Sequence, residues 1–163
     1  LDVSLHSETT EEACMEAMNR ILPPALHVSR IRLVDDRFPK VSAALRQAEY
    51  RITLWGEDAL KIANKIPEFL AQNEIMALRK TKRAETMVNI RPMIHLLEAQ
   101  MDTDAKTAVL TVRVSFVEAA TLKPDLLLSS LCTFSGVELP KYEIRRTCLL
   151  GERDGQSVPL IDL

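Results

Sequence analysis

The residues best suited to bind a ligand are cations in the middle of the chain. Residues 76–91 contain one acid, Glu85, and five basic side chains: Arg79, Lys80, Lys82, Arg83 and Arg91. Cations at the end of a strand can contact the phosphate oxygens of RNA. The competing interpretation is a solvated strand whose lysines protect a sheet edge from aggregation. We therefore treat these five residues as a candidate site for RNA or for another partner.

Residues that could act as catalysts or metal ligands are scattered instead. The histidines and cysteines are all isolated in the sequence: His6, His27, His95, Cys14, Cys132 and Cys148. Locally encoded metal sites place such ligands a few residues apart. Glycine-rich phosphate loops and the GxSxG nucleophile motif do not occur. We expect no metal, no cofactor and, for this chain alone, no enzymatic activity; an enzyme with a dispersed site is the alternative.

Composition narrows the classes of protein further. The 163 residues carry 21 basic and 23 acidic side chains, whereas a dedicated nucleic-acid binder is usually strongly basic. The longest uncharged run, residues 126–137, has 12 residues, and a membrane-spanning helix needs about 20. Three scattered cysteines fit a reducing compartment. We expect a cytoplasmic protein that does not enter the membrane.

The elements that must position the cations follow from the apolar pattern of the first half. Alternating residues predict strands at 1–5 and 50–55. Two further strands are expected, at 26–34 with a register broken near Arg30, and at 75–82, which is apolar at first and basic afterwards. A helix is expected after the first strand, behind the capping box of Thr9 and Glu12, and another over 59–66 with a break or kink at Pro67. This order is the split βαβ of ferredoxin-like domains, with an antiparallel sheet. The predicted fold class is therefore α+β.

The second half repeats the pattern less clearly. Strands are expected at 87–90, 95–101, 108–116 and 141–150, and a helix is expected between Pro124 and Gly136. We predict a ferredoxin-like unit over 1–83 and a second, degenerate unit over 84–163, or one continuous domain.

Several stretches, taken in order, resemble one family. They are Asn19-Arg20-Ile21-Leu22-Pro23-Pro24, Ser42-Ala43-Ala44-Leu45 with Ala48-Glu49-Tyr50, Lys80-Thr81-Lys82 with Asn89-Ile90-Arg91-Pro92, Leu122-Lys123-Pro124-Asp125-Leu126-Leu127, and Arg145-Arg146-Thr147-Cys148-Leu149-Leu150. This set resembles the radical-SAM-linked domain family, the domain of unknown function 2344. Two positions depart from the family pattern, which usually has an acid where Asn89 stands and arginine where Lys123 stands. The resemblance also implies that this chain is the C-terminal portion of the domain.

The resemblance implies a role beside a radical SAM protein, because members are fused to such proteins or encoded near them, often close to genes for ribosomal proteins and a ribonuclease. The radical chemistry would belong to that partner, since this chain has no cysteine triad to hold a cluster. An accessory module that presents a substrate, with RNA as a candidate, is therefore expected. A pure interaction or structural domain without nucleic-acid contact is the alternative.

Overall fold

The computed structural model describes residues 3–35, 37–80, 84–118 and 120–163. The helices are α1 (Glu11–Ile21), α2 (Val41–Ala44), α3 (Glu57–Leu70) and α4 (Pro124–Ser135). The strands are β1 (Gln47–Trp55), β2 (Met76–Lys80), β3 (Glu85–Asn89), β4 (Ile94–Asp102), β5 (Thr107–Val117), β6 (Ala120–Thr121), β7 (Lys141–Arg153) and β8 (Gln156–Pro159). Short 3-10 turns cover Arg91–Met93 and Leu160–Asp162. The predicted α+β class is confirmed.

The main sheet is antiparallel and has the strand order β4-β5-β1-β7-β8, with β6 attached to β5. In β1 and β5, alternate side chains are buried, which is the period expected when one face of a sheet covers a core. Helix α3 packs against β1, β4 and β5, and α4 packs beside α3. The hairpin of β2 and β3 forms a separate two-stranded sheet between α3 and β4 in the chain.

The two long helices have local start and stop signals. Helix α4 begins with Pro124 in its first turn and ends at Gly136, whose φ of 66° is the left-handed conformation that glycine adopts without strain. Helix α3 continues through Pro67 to Leu70, so the break predicted there is wrong. Pro67 is exposed and lies in the last turn, where the missing N–H costs one helical hydrogen bond rather than interrupting a long ladder.

The N-terminal segment departs most from the sequence prediction. Within the described residues, neither 3–5 nor 26–34 forms a strand. Apolar side chains there, including Leu26, stay largely exposed, because no neighbouring strand pairs with the segment. Polar contacts attach it to the chain end: Arg30 forms an ion pair of 2.6 Å with Asp162, and Arg32 donates to the Ile161 carbonyl.

Helix α1 begins one residue later than the predicted capping box. Its N-cap is Thr10, whose hydroxyl accepts from the Ala13 amide at 3.2 Å. After the helix, the Asn19 side chain donates to the Val28 carbonyl and accepts from the Val28 amide. This pair of bonds holds residues 22–28 as a loop and gives Asn19 a structural role.

Among the described residues, one apolar core includes side chains from Ala48 to Cys132, and therefore from both of the predicted units. Strands β2 and β3, which lie on either side of the boundary predicted at residue 83, also pair with each other. The ferredoxin-like topology predicted for 1–83 is not confirmed, because its first two strands do not form within the described residues. No helix of the described residues is long and apolar enough to cross a lipid bilayer.

Candidate functional site

The hairpin of β2 and β3 carries two of the predicted cations, Arg79 and Lys80. The side chains of Arg79 and Lys80 leave β2 on opposite faces, since neighbouring residues of a strand alternate. Arg79 is half-buried, and Lys80 is exposed and forms an ion pair of 3.0 Å with Glu85 on β3. Lys82 and Arg83 lie outside the described residues. Two of the five predicted cations are therefore placed at one end of the hairpin.

Arg91 has a different environment. Its Nε donates to the carbonyl of Leu70, the last residue of α3, at 3.0 Å. Carbonyl groups at the end of a helix have no partner within the helix, and a cation there also complements the helix dipole. Arg91 therefore stabilises the C-terminal end of α3, and it does not line the cavity that Arg79 and Lys80 share.

That cavity has a volume of about 460 Å³ and lies between the end of β2 and the start of α4. Among the described residues that line it, the cations are Arg79, Lys80 and Lys123, and the acid is Asp125. Lys123 is the N-cap residue of α4 and is exposed. The positive end of the helix dipole adds to the field of these cations. The cavity therefore brings cations of two elements, β2 and the start of α4, to one place.

Lys123 is the site residue that sequence reasoning did not identify. It lies more than forty positions from the cations of β2. Its only local signal was its place before Pro124, which marks a helix start rather than a binding site. Only the packing of α4 beside β2 brings Lys123 to the same cavity as Arg79.

A second cavity of about 430 Å³ continues from the first along β2 and α4. The two share Leu78, Leu126 and Ser129, so they form one groove with a basic end and an apolar end. Phe69 and Phe134, which meet edge to face with centroids 5.5 Å apart, line the apolar end. We call the whole feature the β2–α4 groove.

His95 lies apart from this groove, at an irregularity in the pairing of β4 with β5. Its Nε2 is 2.9 Å from the Ser115 hydroxyl oxygen. Burial, together with the nearby positive charge of Arg113, lowers the pKa of His95 below its usual value. None of the four cavities described for the chain is lined by His27, His95 or Arg91.

Two of the three cysteines, Cys132 and Cys148, are poorly suited to nucleophilic chemistry. Burial, followed by the charge of Asp58, raises the pKa of Cys132 to about 11. Burial, followed by the charge of Glu49, also raises the pKa of Cys148. A thiol attacks as its thiolate, so both groups are weak nucleophiles at neutral pH. The described residues contain no cluster of three His, Cys, Asp or Glu side chains that could hold a metal.

Comparison with models of protein families shows to which family the chain belongs. The family described as "Uncharacterized protein conserved in bacteria (DUF2344)" matches residues 1–124. The chain belongs to this family. The DUF2344 match covers all of β2 and ends at Pro124, the first residue of α4. The three cations of the basic end, Arg79, Lys80 and Lys123, therefore lie within the matched residues. No match was found among curated proteins or among solved structures.

Proposed function

We propose that this DUF2344 chain is a non-catalytic accessory module that binds RNA for a cytoplasmic radical SAM protein. The observation that carries the proposal is the cavity shared by Arg79, Lys80 and Lys123. Within the described residues, no ion pair joins Arg79 or Lys123 to an acid, whereas Lys80 is partly neutralised by Glu85. Charge is therefore available at the cavity for phosphate groups.

The size of the site favours a few phosphates of a flexible strand over a long duplex. Three cations in one cavity of about 460 Å³ can contact two or three neighbouring phosphates. The Asp125 carboxylate at the same cavity opposes dense negative charge. We therefore expect modest affinity with a strong dependence on salt, since each neutralised phosphate releases counterions.

The association with a radical SAM protein rests on the family resemblance. In this proposal the partner holds the cluster and performs the radical reaction. This chain contributes a bound substrate close to that partner. Its own thiols, with raised pKa values at Cys132 and Cys148, are suited to the interior of a fold and not to ligating a cluster.

We also infer that the part of the chain from β1 to β7 is the ferredoxin-like unit, in place of 1–83. Leaving aside β2, β3 and β6, this part runs strand, helix, strand, strand, helix, strand. In the sheet, β5 lies between β1 and β4, and β1 lies between β5 and β7. Each strand–helix–strand unit is thus split by one inserted antiparallel strand, which supports the split βαβ arrangement.

Filter binding of transfer RNA and ribosomal RNA at low salt tests the RNA proposal. We expect the double variant Arg79→Glu, Lys123→Glu to lose about tenfold or more in affinity, since hydrogen bonds to charged groups contribute about 1.5–3 kcal/mol each. Both changes are at solvent-accessible positions, so the melting temperature should change little.

The matched control is Arg51→Glu, Arg145→Glu, which changes the net charge equally. These exposed residues pair directly across β1 and β7, on the sheet face that points away from the core. The control should bind RNA nearly as tightly as the unmodified chain. Equal loss in both variants would mean that RNA responds only to net charge, and absence of binding at low salt would refute the RNA proposal.

A further inference from the structure

The strand β2 has an unpaired edge. The Ile90 amide donates to the Ile75 carbonyl at 2.8 Å, and the register pairs Ala77 with Val88. Because hydrogen bonding alternates along an antiparallel strand, Ile75, Ala77 and Arg79 direct their backbone groups toward β3. The N–H and C=O groups of Met76, Leu78 and Lys80 therefore point away from β3, and no other strand of the described residues pairs with them.

This edge faces the β2–α4 groove. Four consecutive residues, from Ile75 to Leu78, line the groove's apolar end. Side chains of consecutive strand residues alternate between faces, so they line one groove together only when the edge of the strand borders it. The opposite wall comes from α4, through Ser129 and Thr133. Strand β3, by contrast, lines none of the four cavities.

Natural sheet edges are usually protected by charged side chains or proline, whereas most of the β2 edge carries apolar side chains. Met76 and Leu78 are 51% and 42% exposed, and charged side chains appear only at the end of the strand, at Arg79 and Lys80. An exposed edge with apolar side chains readily pairs with another extended chain. The groove beside it offers room for such a chain, with an apolar floor that includes Phe69 and Phe134.

We propose that the β2–α4 groove binds an extended peptide of a partner protein, which pairs with β2 as a third strand. Alternate side chains of the peptide would enter the apolar end of the groove, so every second residue should be apolar. The cations Arg79 and Lys123 at the other end call for a carboxylate at the corresponding end of the peptide. A peptide and RNA would compete for Arg79 and Lys123. The peptide proposal does not depend on RNA binding, because the backbone edge of β2 contributes the main recognition.

The test uses a display library of random peptides selected on the whole chain, followed by synthesis of an enriched sequence. We expect enriched peptides to alternate apolar and polar residues and to carry an acid near one end. In the free chain, the amides of Met76 and Leu78 should exchange with deuterium faster than that of Ala77, which is bonded within the hairpin. The bound peptide should slow exchange at Met76 and Leu78 in particular.

The decisive variant is Leu78→Pro, which removes an outward N–H and leaves the bonds between β2 and β3 in place. It should weaken peptide binding about tenfold or more, whereas the control Leu78→Ala, which keeps the N–H, should lose less. The Ala77 amide reports whether the hairpin remains folded in both variants. The proposal is overturned if no peptide is enriched, if Leu78→Pro with an intact hairpin binds as well as Leu78→Ala, or if only an RNA oligonucleotide slows exchange at these amides.

Discussion

Asn89 supports the base of the hairpin that carries the candidate site. Its Oδ1 accepts from the Ile75 amide at 3.0 Å and from the Arg91 amide at 3.1 Å. One oxygen thus joins the start of β2 to the turn that places Arg91 against α3. The change Asn89→Ala leaves both N–H groups without this acceptor at a partly buried position.

A buried N–H group left without an acceptor lowers the free energy of unfolding by about 1–3 kcal/mol. Because Asn89 is only partly buried, we expect a loss of about 2 kcal/mol for the two N–H groups together. For a chain of this size, that loss lowers the melting temperature by about 4–8 °C. Thermal unfolding followed by circular dichroism measures the shift.

The matched control for this position is Asn89→Asp. A carboxylate oxygen can accept the same two bonds, so we expect stability close to that of the unmodified chain. The reasoning is refuted if the alanine variant is as stable as the unmodified chain, or if alanine and aspartate destabilise equally.

Three further predictions concern the core and the titratable groups. Replacing the fully buried Leu131 with alanine should cost about 2–5 kcal/mol in urea unfolding, and a smaller cost would mean that α4 packs loosely. At neutral pH, a thiol-labelling reagent should modify the half-exposed Cys14 well before the buried Cys132, and equal rates would contradict the raised pKa of Cys132, about 11. The pKa of His95 is lowered in the folded chain, so the unfolded chain binds the proton more readily and the free energy of unfolding should fall as the pH drops below about 6.5. The variant His95→Gln should weaken this pH dependence. An unchanged pH profile in the variant would contradict the role assigned to His95.

Elements with strong local signals could be predicted from the sequence. The alternation of β5 and the capping residues Pro124 and Gly136 of α4 correspond to what the structure contains. In these elements the residues that face the core repeat with the period of the element, so no knowledge of distant contacts was needed. A strand also needs a neighbouring strand with which to pair. Residues 26–34 have no such partner among the described residues, and their apolar pattern alone did not make a strand form.

The candidate site was predictable only in part. A run of cations marked Arg79 and Lys80, but charge in the sequence does not distinguish a ligand-binding arginine from one that caps a helix, as Arg91 does. Lys123 reaches the cavity through the packing of α4 beside β2, which is a long-range contact. The free edge of β2 likewise depends on which strands the sheet includes, and that order is set by tertiary contacts.

The salt dependence of RNA binding tests the central claim most directly. If Arg79, Lys80 and Lys123 each contact a phosphate, the slope of log affinity against log salt for a single strand should be about −2. The variant Lys123→Gln should make that slope shallower by about 0.7, since one contact is removed. A slope that is the same for the variant and the unmodified chain, or an affinity that does not respond to salt, would contradict phosphate binding at this cavity.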